Sequence, residues 1–135
     1  TDALRPLSDK GRADARRMAA EIARRGGAPS LILHSPLTRA IQTAAEAAAV
    51  LRPASGTAVF SPLDNTRSAQ EVVAALAARA QDALEILAVG HQPQIGEVAA
   101  LLSKAVFEIR PATIVALELL ATPRVLWTLH PEDAP

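Results

Sequence analysis

Two residues in this chain have the type and the surroundings to do chemistry on an anion. His91 stands in LEILAVGHQPQIGEVAALL, residues 84–102, where an apolar run ends in Gly90-His91-Gln92-Pro93 and an amphipathic helical pattern begins. Arg39 stands in LILHSPLTRAIQTAAEAAAVL, residues 31–51, with the same layout: an apolar run, a polar turn, Pro36, and a helical pattern with Arg39 near its first turn. A guanidinium offers a planar fork of donors to two oxygens of one anion. An imidazole can donate a hydrogen bond to an anion or move a proton near neutral pH. A helix that opens at each turn adds free N–H groups and the positive end of a dipole. An arginine, an imidazole and two helix N-termini around one point suit a phosphoryl group better than a carboxylate, because it has more oxygens and more charge to bind. Gln92 follows the histidine, where its backbone N–H could reach the same anion. Taken singly, an arginine on a helix is commonly solvated and a histidine after a strand is commonly structural. The repeated layout is what joins them.

The elements that must position these residues read as follows. Ser8 can cap a helix to about Arg25, with Ala15, Met18, Ala19, Ile22 and Ala23 as its apolar stripe, and Gly26-Gly27 ends it. Residues 31–33 form a short apolar strand. Ser35-Pro36 reads as a cap followed by proline at the first helical position, and the helix runs to about Leu51. Residues 57–60 suit a strand and SPLDN a turn. Ser68 and Glu71 fit a capping box that opens a helix to about Gln81. A strand over 84–89 is followed by a helix from Pro93 to about Leu102. The tail suggests strands near 105–109, 113–120 and 125–129. Strands that alternate with helices and then follow one another predict an α/β fold, three-layered α/β/α, with a mostly parallel central sheet and antiparallel pairing at its end. In a parallel α/β sheet, ligands bind beyond the carboxyl ends of the strands, which is where both turns fall.

Composition narrows the functional classes. The length of 135 residues suits a single domain over 1–135, and half of the residues are hydrophobic, enough for a buried core. With only two Phe, one Trp and no Tyr, that core must be built from Ala, Leu, Ile and Val. The 14 basic and 14 acidic residues cancel, which argues against a nucleic-acid binder, since that needs a basic face. With no cysteine there is neither a disulfide framework nor a thiolate metal site, and His34, His91 and His130 lack zinc-ligand spacing. No metal or cofactor is expected, because an arginine–histidine pocket binds phosphate without one. No run of about 18 apolar residues suggests a membrane span, and a cytoplasmic setting is the default reading.

The same residues carry a family resemblance. The chain resembles the histidine phosphatase superfamily, with its phosphoglycerate-mutase-like fold, and within it the small SixA-type phosphohistidine phosphatases. LRPLSDKGRADA (4–15) is similar to the family's RPLTxxGxxqA segment, and HSPLTRAIQTA (34–44) to SSPLxRAxQTA, the most specific of the set. VGHQPQIGEVAALL (89–102) resembles VGHxPxLxxLaaxL, and FEIRPATIVALEL with VLWTLHPE resembles the closing strands. The match runs in order through nearly the whole chain and leaves no room for the insertions of the mutases and phytases. It implies that Arg39 binds phosphate oxygens and that His91 helps stabilise the transferring phosphoryl group. It further implies a phosphatase that works through a phosphohistidine intermediate on a phosphohistidine protein or a small phosphoester.

The family's nucleophile is a different histidine, in an RHG or RHA motif at the end of the first strand. No Arg-His pair occurs in this chain: Arg5, which precedes the first helix, is followed by Pro6. The motif is expected upstream of Thr1, on a strand in the middle of the sheet, since removing such a strand would leave backbone groups unpaired in the core. The alternative is an inactive relative that binds phosphate or a phosphoprotein without turnover. A phosphomutase would need a loop for a second phosphate group, which this short chain does not show. The general acid has no candidate among the carboxylates.

Overall fold

The computed structural model describes residues 2–80, 83–119 and 122–135. After a short 3-10 turn at Asp2–Leu4, the elements are α1 (Asp9–Arg24), β1 (Leu31–His34), α2 (Thr38–Leu51), β2 (Thr57–Val59), α3 (Ala69–Arg79), β3 (Ile86–Val89), α4 (Gln94–Ser103), β4 (Ile114–Glu118) and β5 (Arg124–Leu129). Two helix starts follow directly from side-chain chemistry. The Ser8 hydroxyl accepts from the Gly11 N–H, and the Ser68 hydroxyl accepts from the Glu71 N–H, each satisfying a donor that the helix itself leaves free. Gly26, at φ +87°, closes α1 in a conformation that glycine adopts without strain.

The parallel sheet has the order β2-β1-β3. Its register sets His34 opposite Val59 on one side and Val89 on the other. β1 is buried at every position because it has a strand on each side and helices on both faces. Its alternation divides the core. Leu31 and Leu33 point to one face and pack with Leu63, Ala69 and Val72 of the α3 side and Val98 of α4. Ile32 points to the other face and packs with Ala19 of α1 and Ala44 and Ala47 of α2. The small residues let α1 and α2 lie close to the strands, which is how a chain nearly free of aromatics fills this layer. The helices α1 and α2 are further joined by Arg12 and Arg16, both paired with Glu46.

The tail departs from the expected arrangement in two ways. β4 and β5 pair antiparallel, but as a separate two-stranded sheet rather than as a continuation of the parallel one. Residues 105–109 form no strand: Val106 is 95% exposed, and among the described residues this segment has no strand partner. The expected end of α3 at Gln81 and the last residue of the 113–120 strand lie outside the described residues. β3, although apolar in sequence, is only half-buried throughout. The reason is its second edge, which has no ladder partner among the described residues. That edge and β4 face a common cavity of about 540 Å³, whose apolar walls include Met18 and Ile22 of α1, Ala47 of α2, Leu87 of β3 and Ile114 of β4.

Leu33 is fully buried at the centre of the α3–α4 layer. Replacement by Ala should cost about 2–5 kcal/mol, read as a lower midpoint in chemical denaturation with an unchanged slope.

Candidate functional site

The two turns identified from the sequence lie side by side, because β1 and β3 are adjacent, parallel and in register at their carboxyl ends. The Ser35 N–H donates to the Val89 carbonyl at 3.0 Å, continuing the ladder one step past both strands. Arg39 and His91 then line the upper part of the same cavity, together with Leu7, Gly90, Gln92 and Pro111. A Cβ on Gly90 would stand 3.4 Å from Ile95, so the glycine lets α4 settle closely onto the end of β3.

Arg39 is the second residue of α2, with about a third of its side chain exposed. Its guanidinium meets the Asp2 carboxylate at 3.5 Å, and Asp2 also pairs with Arg5 at 3.3 Å. Both pairs are wet and weak, so an incoming anion competes with Asp2 for Arg39 at little cost. His91 is half-buried. Burial depresses its pKa below the ordinary histidine range, the positive charge of Arg39 depresses it further, and Asp2 and Asp64 oppose that shift. The shift favours the neutral imidazole when no ligand is bound. Asp64 itself is held down chiefly by a hydrogen bond from the Thr66 hydroxyl.

The start of α2 differs from the sequence reading. Ser35-Pro36 lies before the helix, Leu37 occupies the N-cap position, and no side chain caps the first turn. The backbone N–H groups of Thr38 and Arg39 consequently have no protein acceptor among the described residues and are available to an anion. The start of α4 is the opposite case. Its donors are already used: Gln94 N–H by Asn65 Oδ1, Ile95 N–H by the His91 carbonyl, and Gly96 N–H by Gln92 Oε1. Of the two helix N-termini expected to serve an anion, only that of α2 offers free donors. The Gln92 side chain is likewise turned inward onto Gly96, while its backbone N–H keeps no protein acceptor among the described residues. His34 and His130 are engaged elsewhere, with Nδ1 of each bonded to the Ser35 carbonyl and the Thr113 hydroxyl respectively.

Three residues at the site escaped the sequence reading. Ser35 is fully buried, and its hydroxyl lies 2.7 Å from His91 Nε2. Gln94 is buried, exchanges two hydrogen bonds with Asn65, and donates through Nε2 to the carbonyls of Pro62 and Arg67. This network fastens the 61–67 loop over the turn that carries His91. A cap-like serine and a glutamine in the first turn of a helix have ordinary local explanations. Only the contact between distant segments reveals their second role.

The model of the histidine phosphatase superfamily (branch 1) matches residues 5–59, which include Arg39. No curated protein matches the chain. Among solved structures, the protein histidine phosphatase SixA complexed with tungstate superposes with a TM-score of 0.87 at 25% identity, covering 98% of this chain and 88% of that one. A proposed phosphohistidine phosphatase SixA from Agrobacterium tumefaciens gives 0.80 at 21% identity, over 96% of this chain and 86% of its own. The corresponding protein of Nakamurella multipartitia gives 0.78 at 21%, over 97% and 87%. The layers and strand order described above are thus those of a phosphoglycerate-mutase-like fold of the SixA type. In its matched segment and its fold, the chain is similar to the histidine phosphatase superfamily.

Proposed function

We propose that this protein is a phosphatase that removes the phosphoryl group from a phosphohistidine-bearing protein, or from a small phosphoester, in the cytoplasm. The observation that carries this reading is the convergence of Arg39, His91 and the free N–H groups of α2 on one end of the cavity. The superposable SixA structure is complexed with tungstate, a tetrahedral oxyanion with the shape and charge of phosphate, and this supports the same reading. No helix among the described residues is long and apolar enough to cross a membrane.

In this mechanism the Arg39 guanidinium and the first-turn amides of α2 hold two or three oxygens of the phosphoryl group, and His91 donates to another. The Gln92 backbone N–H is a further donor. These groups are fixed before the substrate arrives, so they stabilise charge on the equatorial oxygens without reorganising during the reaction. A nucleophilic imidazole nitrogen attacks phosphorus as the bond to the leaving nitrogen or oxygen breaks, and the leaving group departs with a proton. Water then attacks the phosphohistidine and releases inorganic phosphate and the free imidazole. We assign the nucleophile to a histidine on a strand seated between β3 and β4, from a segment outside residues 1–135. The facing edges of those two strands across an apolar cavity support that placement. A strand there, parallel to β3, would end beside His91.

A second reading is favoured by the histidines themselves. His34 and His130 both have ring nitrogens committed to the protein, and His91 is placed as a phosphate contact. Without the further strand, the site is a phosphate-binding pocket with no turnover. Vanadate binding by a natural full-length chain that hydrolyses neither phosphohistidine nor para-nitrophenyl phosphate would select this reading over the enzyme.

In the enzyme, Arg39→Ala should lower turnover by about 10²–10³-fold, and Arg39→Lys should restore little of it, because a point charge does not reproduce the fork. Steady-state hydrolysis of para-nitrophenyl phosphate, with circular dichroism to confirm folding, checks both. Turnover near that of the wild type in Arg39→Ala would overturn the assignment. A pH effect follows from His91. Its folded pKa is depressed, so below about 6.5 the unfolded chain takes up the proton first, and stability falls as pH falls through that range. His91→Gln should accordingly lose less stability than the wild type between pH 7.5 and pH 5.5, measured by urea denaturation at both.

A further inference from the structure

Ser35 is a buried hydroxyl that the family reading leaves without a task. It follows the last residue of β1, and its backbone N–H is tied to the Val89 carbonyl, two residues before His91. Its side chain makes two hydrogen bonds among the described residues. Oγ accepts from the Leu37 N–H at 3.1 Å, and it lies 2.7 Å from His91 Nε2. The first contact takes up an oxygen lone pair. The hydroxyl proton then has one acceptor within reach among the described residues, which is Nε2 of His91. If Nε2 carried a proton and donated it to Oγ, the serine proton would be left without an acceptor in a fully buried position. The bond therefore runs from serine to histidine, and it requires an unprotonated Nε2. The other ring nitrogen, Nδ1, has no protein partner among the described residues, and His91 lines the cavity shared with Arg39.

We propose that Ser35 is a positioning residue whose hydroxyl donates to His91 Nε2, which holds the imidazole as the neutral Nδ1–H tautomer and makes that N–H the donor offered to the anion. The inference rests on the phosphate-pocket reading above for its use, but not for its test. Its chemistry separates two properties that a histidine ordinarily couples. A neutral ring has one donor, and which nitrogen carries it is decided by the partner of the other. Here the partner is supplied by the turn that also leads into Arg39, so the end of β1 sets both the arginine and the proton position of the histidine that follows β3. The charged groups around the ring are Arg39, Asp2 and Asp64, of which the first opposes and the other two favour protonation. Ser35 adds a bond that exists only to the neutral ring. A ligand dianion works against that bond, because it favours a protonated imidazole.

The test is long-range ¹H–¹⁵N correlation of the histidine rings in the natural full-length protein without ligand, at pH 7.5 and then through a pH titration. The expected result is a pyridine-type Nε2 and a pyrrole-type Nδ1 for His91. In Ser35→Ala the preference for this tautomer should be lost, and the His91 midpoint should rise by about half to one pH unit. Ser35→Thr, which keeps the hydroxyl, should return both towards the wild type. A protonated Nε2 in the wild type, or an Ala variant whose tautomer and midpoint do not change, would overturn the proposal. The wild-type spectrum decides the tautomer even if the variants fail to fold. No substrate is present, so the outcome is independent of turnover: a confirmed tautomer in a protein without phosphatase activity would count against the proposed function alone.

Discussion

The site depends on the parallel register of β1 and β3. His34 stands opposite Val89, so the two strands end at the same level and their following turns are neighbours. The main-chain bond from Ser35 to Val89 extends that register into the turns themselves. A slip of one residue would turn every side chain of β1 to the opposite face. It would put Leu31 and Leu33 where Ile32 packs, and it would separate Arg39 from His91. Core packing and the geometry of the pocket are therefore specified by one set of contacts. This explains why β1, only four residues long, is the most completely buried element among the described residues.

The local electrostatics divide the work unequally between the two turns. The α2 turn supplies fixed positive character through Arg39 and through amides that no protein group satisfies among the described residues. The α4 turn uses its first amides to build itself: Asn65, the His91 carbonyl and Gln92 Oε1 each take one. What it presents outward is the imidazole. One turn thus offers positive charge and free donors, and the other presents an imidazole that burial and the nearby guanidinium bias towards the neutral form.

Much of this was legible in the sequence, and the failures have physical causes. Apolar periodicity and the Ser8 and Ser68 caps located α1 and α3, since caps are local chemistry. The apolar runs located β1 and β3, and the order of strands and helices gave the layers. Arg39 and His91 were singled out because strand, turn, proline and helix recur around both, and the fold brings them to one cavity. The strand at 105–109 failed because alternation in a sequence does not supply a partner for the backbone. The start of α2 was misplaced because Ser35-Pro36 imitates a cap, whereas the serine hydroxyl is directed to Leu37 and to a histidine 56 residues away. Asn65 and Gln94 were invisible for the same reason: an amide pair joining positions 29 residues apart leaves no periodic trace.

That amide pair has a consequence for how such a pocket can change. Gln94 grips the 61–67 loop through the carbonyls of Pro62 and Arg67 and the amide of Asn65, all of them main-chain groups. A clamp made to the backbone does not depend on which side chains the loop carries outward. Arg67, exposed beside the turn of His91, can be exchanged while the loop keeps its path. The frame that holds the turn of His91 is in this way insulated from the outer surface of the loop. Substitution at that surface leaves the pocket below it unchanged.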